Sequence, residues 1–169
     1  MSEYYHGLIV QPDCHQCPLQ FDTKVLPDGP SPTRLCFVGE GPGYNEVQEG
    51  KGFVGASGQL LWHLAEAKGV TRDMVWVTNG ALCKPREVRL SSGAILSETL
   101  VKSMSVNACR RRLIGELLAV TQGDPMAVIV PLGNLALQAL SPRKGGGIFK
   151  YRGSLQNIDL QELWNQVNI

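Results

Sequence analysis

The sequence predicts an α/β sandwich, a central and mainly parallel β-sheet with helices on both faces. Three observations carry that expectation. Residues 35–38, 74–78 and 127–131 are short runs rich in apolar and β-branched residues, each of strand length. Each is followed by a stretch with helical periodicity, at 58–68, from near Ser105, and at 135–140. The third run, AVIVP, is continuously apolar, as expected of a parallel strand covered on both faces. Strand–helix alternation of this kind closes through right-handed crossovers.

Taken in order, the chain begins with MSEYYHGLIV, which lacks a basic region ahead of its short apolar piece. No run of about eighteen apolar residues follows, so neither an export signal nor a membrane span is expected. The cytoplasm is the expected compartment, that of a phage-infected host included. Residues 23–32 are dominated by proline and glycine and read as a loop leading into the first strand. Inside that strand Cys36 reads as a packing residue. The helix at 58–68 places Leu60, Leu61, Leu64 and Ala65 on one face, with Ser57 as its cap and Gly69 as its stop. His63 within it reads as a residue without a chemical role.

Residues 86–103 are polar around a Ser-Ser-Gly centre and read as an exposed loop or insertion. The helix beyond carries Cys109, Leu113, Leu117 and Leu118, with Arg110, Arg111 and Arg112 fanned around it as solvated surface. After the third strand and its helix comes SPRKGGG, a basic, glycine-rich turn. Residues 148–155 suggest a short hairpin or extended segment, and 160–167 a terminal helix. At 169 residues, 43% hydrophobic and 18% charged, the whole reads as one globular domain spanning 1–169. A net charge of +1 gives no global basic field, which leaves local patches such as Arg143 and Lys144 as the candidate phosphate contacts.

Chemistry concentrates in two places. The first is the loop after strand one, where Gly39, Gly41, Gly43, Gly50, Gly52 and Gly55 surround Glu40, Asn45, Glu46 and Phe53. A glycine-rich loop at the carboxyl end of a strand lets bare backbone approach a ligand. A large aromatic amid glycines has little packing reason to be there. Asn79 ends the second strand on the same edge, and Gly133 with Asn134 follows the third. The second place is the cysteines. Cys14 and Cys17 form a CxxC with no strand before it, which favours ligation over redox chemistry, and five cysteines without an export signal argue against a disulfide framework.

These pieces, in order, resemble the iron-sulfur uracil-DNA glycosylases of family 4. The matching segments are CHQCPL at 14–19, GEGPG at 39–43 with Glu46, GKGFVGASGQLL at 50–61, TNGALCKP at 78–85, Ala108-Cys109, VPLGNLALQAL at 130–140 and Tyr151-Arg152-Gly153. The resemblance implies a three-layer glycosylase sandwich and a [4Fe-4S] cluster on Cys14, Cys17, Cys83 and Cys109. Four thiolates from separated segments suit such a cluster; zinc on the same set, or four plain thiols, are the alternatives. It implies a pocket in which Phe53 stacks on a flipped uracil, Asn79 reads its edge, Gly39, Glu40 and Gly41 line the wall, and Glu40, Glu46 and Asn79 take part in catalysis.

Departures accompany the match. Val47 stands where the family usually has a second acidic residue, and Gly52 replaces the usual proline before Phe53. No HPxYLLR-like histidine motif is present, and the chain ends soon after Gly153 without the family's last strand. The expectation is therefore either uracil excision from DNA, weakened, or a catalytically silent module of the same fold. Its partners would be uracil-containing or single-stranded DNA and a replication or repair protein.

Overall fold

The computed structural model describes residues 8–141 and 147–168. Three parallel strands form the central sheet in the order β2-β1-β5, where β1 is Leu35–Gly39, β2 is Trp76–Asn79 and β5 is Val128–Pro131. The register sets Cys36 against Trp76 and Gly39 against Asn79 on one side of β1, and Leu35 against Val128 on the other.

Alternation along β1 divides the core into two layers. On one face Phe37 packs with Val75, Val77 and the Leu61, Trp62 and Ala65 side chains of α2 (Ala56–Glu66). On the other, Cys36 and Val38 meet Leu113, Leu117 and Val120 of α3 (Glu98–Thr121) and Ala136, Ala139 and Leu140 of α4 (Asn134–Leu140). The sandwich thus has three layers. Cys36 is wholly buried, and burial pushes its thiol up to about 12, so it is an inert packing residue.

Several local expectations are corrected. The glycine loop is interrupted by a short helix, α1 (Tyr44–Glu49). Helix α2 starts earlier than Ser57, with Gly55 at its cap, because the Gly55 amide is already taken by the Glu46 carboxylate. Leu60 and Leu64 are 59% and 58% exposed, since α2 carries two apolar stripes and only the Leu61–Ala65 stripe faces the sheet. Met74 belongs to a 3-10 turn, Arg72–Met74, ahead of the strand.

Residues 86–103 are not irregular. They form an antiparallel hairpin of β3 (Val88–Arg89) and β4 (Ile95–Leu96), turned at Gly93 with φ of 86°, and then enter α3. Ser97 caps α3 by accepting from the Leu100 amide at 3.4 Å, so the helix begins a full two turns before Ser105. Its periodicity is blurred because it is buried on several sides, with Val101 and Val106 near one end and Ile114 and Val120 near the other. Residues 148–151 make a helical turn, α5 (Ile148–Tyr151), rather than a hairpin. The terminal helix α6 (Leu160–Val167) is as expected, capped by Asp159 accepting from the Glu162 amide at 2.9 Å. Among the described residues, no helix is long and apolar enough to cross a membrane.

Helix α6 lies against α3 at Gly115, where a Cβ would stand 2.5 Å from the Trp164 ring and 2.6 Å from the Val10 side chain. Gly115→Val is expected to cost about 1–3 kcal/mol by overpacking and to lift α6 away. Urea denaturation followed by tryptophan fluorescence checks both, through a lower midpoint and a red-shifted native emission.

Candidate active site at the carboxyl edge of the sheet

Because β1 and β2 run parallel in register, their ends bring Gly39 and Asn79 side by side, and the segments that follow open a cavity of about 430 Å³. Glu40, Phe53, Leu60, Asn79 and Lys102 are among its lining residues. A second cavity of about 400 Å³ adjoins it, with Phe53 and Asn79 in both walls and Tyr44 and Glu46 on the far side. Gly39 and Gly41 line the first as well, so every pocket residue that the resemblance implies is gathered on this edge.

Asn79 is 5% exposed, and glycine makes its slot. A Cβ on Gly39 would collide with the Asn79 amide oxygen and stand 2.8 Å from the tip of the Phe53 ring. On the other side, a Cβ on Gly52 would lie 3.3 Å from Val77 and 3.9 Å from the Asn79 amide nitrogen. The ring of Phe53 and the amide of Asn79 therefore meet over a bare stretch of backbone. Phe53 has φ of 56°, a left-handed conformation costly for a bulky residue and found where surrounding structure enforces it. Here the enforcement is visible: Trp62 Nε1 donates to the Phe53 carbonyl at 3.1 Å, and Arg72 donates to the Gly52 carbonyl at 2.8 Å.

Both acids of the loop are tied down. Glu46 accepts from the Gly43 amide at 3.1 Å with one oxygen, and from the Val54 and Gly55 amides at 3.0 and 2.7 Å with the other. Burial opposes its charge, but these amides outweigh burial and hold the carboxyl below its ordinary value. Glu40 accepts from the Leu135 amide at the start of α4 at 3.0 Å, and its second oxygen is ion-paired with Lys102. Burial again opposes, and Lys102 and the α4 amides again prevail, so this carboxyl too is held low. Neither is placed as a proton acceptor. Both are fixed negative charges at the cavity wall.

Arg112 overturns the expectation of three solvated arginines. It is wholly buried, with Nη1 donating to Thr78 Oγ1 at 3.0 Å and to Glu116 at 2.8 Å, and Nη2 donating to the Asn79 and Gly80 carbonyls at 2.5 and 3.2 Å. Glu116 in turn accepts from Trp76 Nε1 at 2.9 Å. The guanidinium fork thus grips the end of β2 from behind, at the residue whose side chain enters the cavity. Its neighbours are also engaged: Arg110 donates to the Ala139 carbonyl at 2.9 Å, and Arg111 to Asn168 at 2.7 Å. A glutamate four residues after Arg112 was the available sequence signal for the pair. Lys102, hidden in the stretch read as a loop, carried none.

The segments carrying the four matched cysteines are drawn towards the middle of α3. The Asp13 amide donates to the Ala108 carbonyl at 3.0 Å, which ties the CxxC turn to the helix beside Cys109, and Val25 donates to Leu82 at 2.8 Å beside Cys83. Burial chiefly raises the Cys17 thiol, with the charges of Cys109 and Cys14 adding to it. Burial pushes Cys83 up to about 12, and Cys109, Cys17 and Cys14 again add. Cys17 and Cys83 lie in one buried cluster with Ala108, the residue before Cys109. Yet no group of three or more His, Cys, Asp or Glu among the described residues stands ready to hold a metal ion. An all-sulfur, largely buried donor set fits an iron-sulfur cluster in its chemistry, and the Leu19 amide directed at Cys17 Sγ at 3.4 Å is the kind of contact that supports a thiolate. Arg143 and Lys144 lie outside the described residues.

Two outcomes are expected. Arg112→Met leaves Glu116 buried without its partner and two carbonyls unpaired, and should cost about 3–5 kcal/mol in urea denaturation. Glu46 has a lowered folded-state pKa, so the stability it contributes is present above the ordinary carboxylate range and is lost as pH falls through the lowered value. Glu46→Gln should therefore melt below wild type near pH 7, with the gap closing as pH falls through that lowered value.

Residues 26–165 match the uracil DNA glycosylase superfamily. Among named relatives, the type-4 uracil-DNA glycosylase of Thermotoga maritima is 32% identical over 143 residues, 83% of this chain and 67% of its own length. That of Sulfurisphaera tokodaii is 45% identical over 75 residues, 43% of this chain and 34% of its own. The Archaeoglobus fulgidus protein of the same name is 32% identical over 127 residues, covering 74% and 57%. The chain thus spans between about a third and two thirds of the length of these relatives, all named as glycosylases, and none of them favours the silent-module alternative. Fold, motif order and these likenesses agree: the chain belongs to the uracil DNA glycosylase superfamily, in its type-4 branch.

Proposed function

We propose that this chain releases uracil from DNA by hydrolysing the bond between the base and its deoxyribose. The observation that carries the reading is the meeting of Phe53 and Asn79 over Gly39, in a cavity with room for one extruded base. In this reading the uracil ring stacks on Phe53. The Asn79 amide donates to uracil O4 and accepts from its N3–H, a pairing that cytosine, with an amino group and no N3–H, does not satisfy. Backbone at Gly39 and Gly41 lets the base come close.

Bond cleavage leaves positive charge on the sugar and negative charge on the uracil. Glu40 and Glu46, held ionised by amides and by Lys102, supply fixed negative charge towards the sugar, with no reorganisation needed as the cation forms. Water then adds to the sugar carbon. Cys14, Cys17, Cys83 and Cys109 would hold a [4Fe-4S] cluster, joining the N-terminal turn, the exit of β2 and α3. Bound there, the cluster's contribution is structural. Arg143 and Lys144, in a basic glycine-rich stretch, are the proposed phosphate contacts.

A uracil-containing oligonucleotide, single-stranded and in duplex, tests the activity: free uracil and an alkali-labile site should appear, and Asn79→Ala should abolish both. DNA binding without any uracil release would overturn the reading. Phe53→Ala should weaken binding of free uracil by about 1–3 kcal/mol, the worth of one stacked base. Anaerobically purified protein should carry about four irons per chain, and stoichiometric zinc in their place would refute the cluster.

A further inference from the structure

Lys102 is the one cationic side chain among the described residues lining the cavity of about 430 Å³, and Glu40 is the only other charged one there. It stands on the first turns of α3, after a hairpin and a capping serine that fix where the helix begins. One of its three N–H groups is directed at Glu40, and among the described residues no partner is seen for the other two. Glu40 is itself anchored to the α4 amide of Leu135 at 3.0 Å. The ammonium is thereby held at the cavity wall by an immobile carboxylate, and its side chain remains 33% exposed.

We propose that Lys102 is a catalytic residue, whose ammonium hydrogen-bonds to the departing uracil and stabilises the negative charge that develops on it. This rests on the excision reading above. In the step, the bond between C1′ and N1 breaks with its electron pair going to the base, where it spreads over N1 and the carbonyl oxygens O2 and O4. Lys102 keeps its proton and donates a hydrogen bond to one of these carbonyl oxygens. A water molecule adds to C1′ and releases its proton to solvent, and the uracil anion takes up a proton from solvent on leaving. The charge on Lys102 is needed more in the transition state than in the bound substrate, which is the condition for it to raise the rate rather than the affinity.

The test compares wild type with Lys102→Met and Lys102→Arg. Single-turnover excision at saturating DNA should fall about a hundredfold in Lys102→Met, the usual consequence of losing one donor to a developing anion. Binding of the same oligonucleotide should be unchanged, and Lys102→Arg should recover much of the rate. A second readout needs no turnover. Affinity for free uracil should rise in wild type and in Lys102→Arg as pH passes through the ionisation of uracil itself, and should not rise in Lys102→Met. Identical pH profiles in wild type and Lys102→Met, or a rate loss matched by lost DNA binding, would overturn the proposal while leaving excision intact. Wild-type protein that binds no uracil at any pH would instead sink the excision reading and this proposal together.

Discussion

The buried fork of Arg112 is the interaction on which the site depends. A strand that ends in a ligand pocket has carbonyls with no ladder partner, and at the end of β2 these are the carbonyls of Asn79 and Gly80. The two nitrogens of one guanidinium satisfy both, while Glu116 balances its charge and Trp76 holds Glu116. A charge so deeply buried is costly unless paired, and both terminal nitrogens of Arg112 are engaged, leaving its Nε without a partner among the described residues. Here the pairing doubles as a positional constraint, because α3 and β2 cannot shift relative to each other without breaking it. The same helix carries Lys102 to the front of the cavity and Cys109 to the N-terminal turn.

A second theme is charge that is held still. Glu46 braces the glycine loop through the amides of Gly43, Val54 and Gly55, and Glu40 joins the start of α4 to Lys102. These carboxylates look idle as acid–base groups because their lone pairs are committed. For a reaction that separates charge, commitment is an advantage: fields already in place need not be built during bond breaking. Under the proposed reaction, loop rigidity and electrostatic function come from the same hydrogen bonds.

Much of this was legible in the sequence, unevenly. The three strands announced themselves because their runs are mainly apolar and β-branched, although β5 lies at the sheet edge with Val128 46% exposed rather than covered on both faces; the parallel arrangement then placed Gly39 beside Asn79. Glycine positions pointed to the loop because only glycine leaves room for the Asn79 amide. Helix α3 is mistaken in its first two turns because residues 98–104 are mostly polar and exposed or half-buried, with Val101 alone buried, and so show no apolar stripe from which a helix is read. Arg112 and Lys102 were hidden for a related reason. An arginine between arginines looks solvated, and nothing local reveals that its carbonyl partners lie more than thirty positions away. Leu60 and Leu64 looked like core because an apolar wall of a cavity and an apolar wall of a core have one pattern.

The central claim is that one extruded uracil lies between Phe53 and Asn79. A crystal structure of the chain with a uracil-containing single strand, in an Asn79-intact but slowly turning Lys102→Met background, tests it directly. The account predicts the uracil ring stacked on Phe53, its O4 and N3 edge on the Asn79 amide and its sugar towards Glu46. A strand bound with its uracil outside this cavity, or with Phe53 packed away from the base, would contradict it.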